Sequence, residues 1–107
     1  MKSISATELA AILKLPDAPR LLDVREPEEF EIVALPSARL LPLGQIPARF
    51  QEIADWKDQP VVVYCHHGIR SLQAIHFLRA SGFSDVTNLS GGIDAWSREV
   101  DLQMPRY

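Results

Sequence analysis

The chain carries one stretch, Val61-Val-Val-Tyr-Cys65-His-His-Gly-Ile-Arg70-Ser71, in which an apolar run of β-branched and aromatic residues ends in the only cysteine. A short loop containing one glycine follows, and apolar residues then recur at helical spacing. This order predicts a buried strand, a tight loop and a helix from Ser71 to about Ser81. Open α/β sheets bind their ligands at the carboxyl ends of strands, so the pattern puts Cys65 where a site is expected.

The loop after Cys65 has the features of an anion-binding cradle. Its backbone amides lie at the start of the predicted helix, where amides and the helix dipole favour negative charge. Arg70 adds a permanent positive charge, and Gly68 allows a tight turn or a positive φ. A free thiol has a pKa of about 8.5, which helix starts and nearby cations lower to roughly 3.5–7.5. We therefore expect Cys65 to be a thiolate nucleophile rather than a buried structural cysteine. The residues expected to bind substrate are His66, His67, Gly68, Ile69, Arg70 and Ser71.

Composition predicts one ordinary globular domain. The 107 residues are 47% hydrophobic and 23% charged, which suits a single domain over residues 1–107. A formal net charge of −3 gives nucleic-acid binding no support, and no apolar run is long enough to cross a membrane. The first residues lack the apolar core of a signal peptide, and a single cysteine excludes an internal disulfide. We expect a cytoplasmic protein.

A second candidate region lies earlier in the chain. Residues 20–25 predict a buried strand with a charged end, and residues 26–30 predict a short helix. If this strand runs parallel to the one that ends at the cysteine, Asp23 and Arg25 reach the same rim of the sheet. We expect Arg25 to support the site, with Asp23 or Glu29 holding its orientation. We give a surface ion pair near a turn equal weight as the alternative. Loops at strand ends often carry sites, which favours the functional interpretation.

The remaining segments alternate between helix and strand. Ser5 and Glu8 have the spacing of a capping box, which predicts a helix from about Ala6 to Lys14. Gly82 has the position of a left-handed cap after the long helix. Further elements are predicted at residues 38–41 (strand), 47–55 (helix), 86–89 (strand) and from 93 onward (helix), followed by a loose or docked tail at 104–107. The alternation predicts an α/β fold with a mainly parallel sheet.

His66 and His67 raise the question of a metal site. Adjacent histidines rarely point toward one ion, and no second cysteine or further cluster of histidines completes a ligand set. We expect no metal and no other cofactor. Either histidine could act as a general base, but the favoured interpretation is that both shape the loop and its entrance.

Three motifs, in this order, resemble the rhodanese-like sulfurtransferase family. They are Leu-Leu-Asp-Val-Arg-Glu at 21–26 with Glu29 and Phe30, the loop Cys-His-His-Gly-Ile-Arg-Ser at 65–71, and Asn-Leu-Ser-Gly-Gly-Ile-Asp-Ala-Trp at 88–96. The resemblance implies a three-layer fold, with helices on both faces of a parallel sheet of about five strands. It also implies that Cys65 takes a sulfane sulfur from a donor such as thiosulfate or a persulfide. Cys65 then holds it as a persulfide and passes it to a thiol or cyanide. The implied partners are small-molecule or protein sulfur donors and acceptors.

The middle of the chain departs from that family's pattern. Where the family often has Gly-His-Ile-Pro-Gly-Ala, residues 33–38 read Val-Ala-Leu-Pro-Ser-Ala. Leu40 stands where the family often has a polar residue. The difference bears on local hydrogen bonding and on the choice of partner.

Two other functions compete with sulfur transfer. Phosphatases and arsenate reductases use a cysteine loop that ends in arginine, but only four residues separate Cys65 from Arg70, one too few for that loop. A non-catalytic interaction or persulfide-carrier module keeps the fold and commonly loses the nucleophile, which this chain retains. Sulfur transfer through a persulfide is therefore the predicted function.

Overall fold

A parallel sheet forms the centre of the computed structural model, which describes residues 2–107. Along the chain the elements are β1 (Ser3–Ile4), α1 (Ala6–Ile12), β2 (Arg20–Asp23), α2 (Pro27–Ile32), β3 (Arg39–Leu40), α3 (Ile46–Arg49), β4 (Val61–Tyr64), α4 (Ile69–Ala80), β5 (Val86–Leu89) and α5 (Gly92–Glu99). The five strands lie in the order β1-β5-β4-β2-β3, and every neighbouring pair is parallel. The predicted α/β class is confirmed.

The sheet separates two apolar cores. Val61 and Val63 of β4 face a core that α3 and α4 cover, whereas Val62 and Tyr64 face a core that α1 and α5 cover. Both faces of β4 are buried, which is why its sequence is a continuous apolar run rather than an alternating one. The three layers implied by the resemblance are confirmed.

The register of β2 and β4 brings the two candidate regions together. Asp23 pairs with Tyr64 across the two strands, so the residues that follow each strand leave the sheet at the same edge. Cys65 comes directly after β4, and Arg25 lies two residues beyond β2. The carboxyl edge of the sheet therefore carries the cysteine loop and the Asp23–Arg25 segment side by side.

Local signals place several helix ends correctly. The Ser5 hydroxyl accepts a hydrogen bond from Glu8 N at 3.1 Å, and the Glu8 carboxylate accepts one from Ser5 N at 2.9 Å, so the capping box is present. Gly82 has φ +100°, and Phe83 N donates to Leu78 O at 3.0 Å to close the end of α4. The predicted bounds differ in detail: α1 ends two residues early, and α4 begins two residues before Ser71.

The prediction of one regular helix at 47–55 is wrong. The segment consists of a 3-10 turn at Leu43–Gln45, the single α-helical turn of α3 and a 3-10 stretch at Phe50–Trp56. Ile53 breaks the helical path with φ −116° and ψ 25°, and it is fully buried, so packing overrides the helical periodicity here. The two-residue edge strand β1 carries too little pattern for prediction. No helix within residues 2–107 is both long and apolar enough to span a membrane.

Candidate active site

Cys65 lies at the bottom of a tight loop between β4 and α4. Cys65 is only 1% exposed, and its Sγ accepts a hydrogen bond from Gly68 N at 3.0 Å. Gly68 has φ +105°, a left-handed conformation that glycine adopts without steric strain, and α4 begins directly after it. The first amides of a helix have no partner within the helix, and at the start of α4 the Gly68 amide donates to the sulfur instead.

The start of the loop is held by the start of α5. Ile93 N donates to Cys65 O at 2.9 Å, and Asp94 N donates to His66 O at 3.0 Å. Gly92 has φ +62°, and a Cβ there would lie 2.4 Å from His66 O and 2.5 Å from Cys65 O. The Gly-Gly sequence before α5 therefore fixes the backbone that carries the cysteine.

Ser71 contacts the cysteine sulfur. Its residue is fully buried, and Oγ lies 3.5 Å from Cys65 Sγ. The hydroxyl donates to Oδ1 of Asn88, a buried residue of β5. Asn88 opens the third sequence motif but was not among the residues predicted for the site. The available signal was a polar amide in a short strand that joins the core.

Arg25 belongs to a buried ion pair. The Asp23 and Arg25 side chains are both 0% exposed, with Nη2 of Arg25 2.6 Å from the Asp23 carboxylate and Nε 2.9 Å from it. Val33 O and the Tyr107 hydroxyl accept further hydrogen bonds from the guanidinium, at 2.7 and 2.8 Å. Burial opposes the charge, but the bonds to Asp23 and Tyr107 outweigh it and raise the pKa of Arg25. Of the two expected partners, Asp23 is the carboxylate that orients Arg25.

Glu29 pairs with Arg70 instead. Its two carboxylate oxygens accept hydrogen bonds from Arg70 at 2.6 and 2.9 Å, and one of them also accepts from the Tyr107 hydroxyl at 2.8 Å. The Arg70 hydrogen bonds lower the pKa of Glu29 to about 2. The side chains are 34% exposed for Arg70 and 18% for Glu29, so the pair lies at the protein surface beside the loop.

Tyr107 docks the tail against the site. Its ring stacks on His66 with a centroid separation of 3.9 Å and an interplanar angle of 9°. Burial raises the pKa of Tyr107 to about 12, so its hydroxyl stays protonated and donates to Glu29. Burial, followed by the neighbouring His67, lowers the pKa of His66. Of the two forms left open for the tail, the docked one is found, whereas no sequence pattern indicated its contact with the site.

The rest of the predicted loop faces outward. The His67 side chain is 61% exposed, and Ile69 is 69% exposed. Within residues 2–107, His66, His67 and Asp94 form a group whose ligand atoms lie within 4.8 Å of one another. Asp94 already binds Arg98 at 3.1 Å and Arg106 at 3.3 Å, and two guanidinium groups oppose a bound cation. This donor set does not favour a metal.

The geometry defines a parallel α/β domain with a buried cysteine held between the end of β4 and the start of α4. Residues 5–99 match the family described as "Rhodanese-like domain", and the chain belongs to that family. The match covers all three motifs of the sequence, including the Gly-Gly turn that holds the cysteine loop.

Named relatives share this domain. The chain is 46% identical over 78 residues to a protein of Allochromatium vinosum named "Sulfurtransferase", covering 73% of this chain and 71% of the relative. It is 40% identical over 78 residues to "Thiosulfate sulfurtransferase GlpE" of Vibrio cholerae, covering 73% and 72%. Some relatives are much longer: the chain spans 38% of a chloroplastic Arabidopsis thaliana protein named "Rhodanese-like/PpiC domain-containing protein 12".

A solved structure shows the same fold. The rhodanese-like domain protein of Staphylococcus aureus superposes with a TM-score of 0.84 at 33% identity, covering 94% of this chain and 95% of the other. The agreement includes nearly the whole chain, so the parallel sheet and its helices are those of the family.

Proposed function

We propose that the protein is a sulfurtransferase that carries a sulfane sulfur on Cys65 from a donor to an acceptor. The observation that supports it best is the 3.0 Å hydrogen bond from Gly68 N to Sγ at the start of α4, where amides and the helix dipole favour a sulfur anion. The relatives named as sulfurtransferases support the same reaction. The proposed donor is thiosulfate or a persulfide, and the proposed acceptor is a thiol or cyanide.

The first proposed step loads the cysteine. The Cys65 thiolate attacks the outer sulfur of thiosulfate, and a bond forms between Sγ and that sulfur. The sulfur–sulfur bond of the donor breaks, and sulfite leaves with the electron pair. With a persulfide donor, the donor's thiolate leaves in the same way. The product is a persulfide on Cys65.

The second proposed step unloads it. Cyanide or an acceptor thiolate attacks the outer sulfur of the persulfide, and the bond from that sulfur to Sγ breaks. The electron pair returns to Sγ, which regenerates the Cys65 thiolate and releases thiocyanate or a new persulfide. The loop amides stabilise the negative charge on sulfur in both steps.

The alternatives predict different chemistry. Phosphate transfer needs a free arginine to grip a tetrahedral oxyanion, and Glu29 already occupies the Arg70 guanidinium at 2.6 and 2.9 Å. A non-catalytic carrier would accept a sulfur but would not turn over. The Arg70–Glu29 pair thus favours sulfur transfer over phosphatase activity.

The test compares thiocyanate production from thiosulfate and cyanide by the wild type, Cys65→Ser and the control His76→Ala, which changes an exposed residue. We expect turnover by the wild type and the control, none by Cys65→Ser, and no hydrolysis of an aryl phosphate by any of them. Turnover by folded Cys65→Ser at the wild-type rate would contradict the proposal. A persulfide on Cys65 that no thiol or cyanide removes would instead indicate a carrier.

A further inference from the structure

Three polar side chains form a chain of contacts behind the cysteine loop. Cys65 Sγ is 3.5 Å from Ser71 Oγ, and Ser71 Oγ donates to Asn88 Oδ1. The three residues are 1%, 0% and 7% exposed, so the chain of contacts is largely shielded from solvent. Asn88 Nδ2 faces the Gly68 turn, since a Cβ on that glycine would lie 3.6 Å from it. Asn88 therefore adjoins both groups that contact the sulfur.

The protons available to Ser71 and Cys65 decide whether this arrangement fits the thiol or the thiolate form of the cysteine. A serine hydroxyl has one proton, and a carboxamide oxygen only accepts. Because Ser71 gives its proton to Asn88 Oδ1, the contact between Ser71 and Cys65 is a hydrogen bond only if the thiol donates to Oγ. A thiolate has no proton to give, so the observed direction suits the neutral thiol.

We propose that Asn88 is a positioning residue that acts on Cys65 through Ser71, by allowing the serine hydroxyl to reverse its direction when the sulfur becomes an anion. The carboxamide can present either its oxygen, which accepts, or its nitrogen, which donates. When the amide nitrogen donates to Ser71 Oγ, the serine proton is free to point at Sγ. The proposal rests on the proposed function only in taking Cys65 as the group that becomes an anion and carries sulfur.

The switch involves no covalent change other than loss of the thiol proton. That proton passes to a buffer base, the Ser71 O–H rotates from Asn88 Oδ1 to Sγ, and the carboxamide turns about its terminal bond to donate to Ser71 Oγ. The direction persists in the loaded protein, because the persulfide sulfur is also an acceptor. Asn88 thus keeps all three groups hydrogen-bonded in both states, which matters because a buried polar group without a partner is destabilising.

Charged groups lie farther from the Ser71 and Asn88 side chains. Arg70 of α4 interacts electrostatically with Cys65, and Glu29 of α2 neutralises that arginine. His66 follows Cys65 in the loop. Asp94 of α5 donates its backbone N–H to His66 O, and the Asp94 side chain lies near His67. The hydrogen bonds of the Ser71 and Asn88 side chains, by contrast, go to Cys65 and to each other. The effect of Asn88 on the sulfur is therefore expected to depend on Ser71 rather than on these charges.

The test is the pH profile of Cys65 alkylation by iodoacetamide, measured for the full chain with Asn88→Asp, Ser71→Ala and the double variant. An aspartate keeps the acceptor but has no donor, so it locks the Ser71 proton away from Sγ. We expect Asn88→Asp to slow alkylation at pH 7 by about tenfold, equivalent to the net contribution of one hydrogen bond of about 1.4 kcal/mol. In the Ser71→Ala background, the factor by which Asn88→Asp slows alkylation should be at least about threefold smaller than in the wild-type background. Part of the effect of Asn88→Asp is lost when the Ser71 hydroxyl is removed.

An equal factor for Asn88→Asp in both backgrounds would overturn the proposal, because the aspartate would then act by its charge alone. Asn88→Leu provides a second measurement if the aspartate variant does not fold, with thermal unfolding as the check. Any slowing by Asn88→Leu should disappear in the Ser71→Ala background. Persistence of that slowing without Ser71 would also contradict the proposal. Alkylation needs no sulfur donor, so this result is independent of whether the protein proves to be a sulfurtransferase.

Discussion

The two sides of the cysteine loop differ in kind. On one side, neutral groups contact the sulfur: the Gly68 amide at 3.0 Å and the Ser71 hydroxyl at 3.5 Å, backed by Asn88. On the other side lies a charged cluster, whose members share ion pairs or the tyrosine hydroxyl that bridges them. They are Asp23, Arg25, Glu29, Arg70 and Tyr107.

The two sides of the loop are expected to have different roles, the neutral side in sulfur chemistry and the charged cluster in stability. Each arginine of the charged cluster has a carboxylate partner of its own, so the charges cancel within the cluster and bind the loop to the neighbouring strand and helix. The neutral side offers the Gly68 amide as a donor to a sulfur anion, and within residues 2–107 no carboxylate lies at hydrogen-bond distance from Sγ. We therefore expect substitutions on the neutral side to change sulfur chemistry and substitutions in the charged cluster to change mainly stability.

The largest expected effect on activity comes from moving the neutral side as a whole. In Gly92→Ala, the new Cβ would lie 2.4–2.5 Å from the carbonyl oxygens of Cys65 and His66, and φ +62° adds strain for any side chain. The loop must shift, so we expect kcat/KM for thiosulfate to fall by about a hundredfold, or about 2.7 kcal/mol of transition-state stabilisation. The measurement is steady-state kinetics with thermal unfolding, and Gly44→Ala, where a Cβ meets no atom within 4 Å, is the matched control. Unchanged kinetics in Gly92→Ala would show that the loop tolerates displacement.

The largest expected effect on stability lies in the charged cluster, where stability and activity should separate. Asp23→Asn leaves Arg25 buried with its charge uncompensated, and breaking a buried pair is destabilising by about 3–5 kcal/mol. Urea unfolding should show that loss, while kcat of the remaining folded protein at low temperature changes little. Asp17→Asn, at an exposed position, serves as the control. A large fall in kcat without loss of stability would place Asp23 in the chemistry instead.

A smaller effect follows from the pH dependence of Glu29. Hydrogen bonds from Arg70 hold the pKa of Glu29 at about 2 in the folded protein, against an ordinary value of 4.5. The ionised carboxylate therefore stabilises the fold fully above about pH 4.5, and this contribution is lost as the pH falls toward 2. At neutral pH, Glu29→Gln should be less stable than wild type by on the order of 2 kcal/mol, after allowance for partial screening at the surface.

This difference should shrink on acidification through that window, measured as unfolding free energies from urea titrations between neutral pH and the acid limit of folding. The exposed neighbour in Glu28→Gln provides the control. A stability difference that stays constant down to the lowest pH would mean that the Arg70 bond does not perturb Glu29.

The smallest effect is expected for Arg70. Because Glu29 compensates its charge and the side chain is one-third exposed, Arg70→Ala should lower kcat/KM for thiosulfate by only about threefold, or about 0.7 kcal/mol of transition-state stabilisation. A persulfide donor of lower charge should be affected less, and high salt should reduce the difference. A loss of a hundredfold or more on thiosulfate would show that the arginine leaves Glu29 and binds the donor.

Physical reasons explain what the sequence could and could not predict. The strand, loop and helix around Cys65 were predictable because a continuous apolar run, a glycine and a helical repeat are local signals. The end of the long helix at Gly82 was predictable for the same reason. The pairing of Glu29 with Arg70 was not, because 41 residues separate them and either arginine satisfied the pattern. Which carboxylate meets which arginine depends on side-chain reach at the folded sheet edge.

Other missed contacts also lie far apart in the chain. Asn88 stands 17 residues from Ser71, and Tyr107 stands 82 residues from Arg25, with no periodicity linking either pair. The 47–55 segment failed for the opposite reason: its local pattern was helical, but burial of Ile53 imposed a non-helical backbone. Local patterns thus gave the elements, while the contacts that surround the sulfur required the register of the parallel strands.

The most direct measurement of the central claim is the intact mass of the protein after incubation with thiosulfate and removal of excess donor. We expect the wild type to gain one sulfur atom, peptide mapping to place it on Cys65, and cyanide to remove it with release of thiocyanate. Cys65→Ser should gain none under the same conditions. A wild-type protein that stays unmodified after treatment with both thiosulfate and a persulfide donor, while its cysteine remains free and the fold intact, would contradict the account.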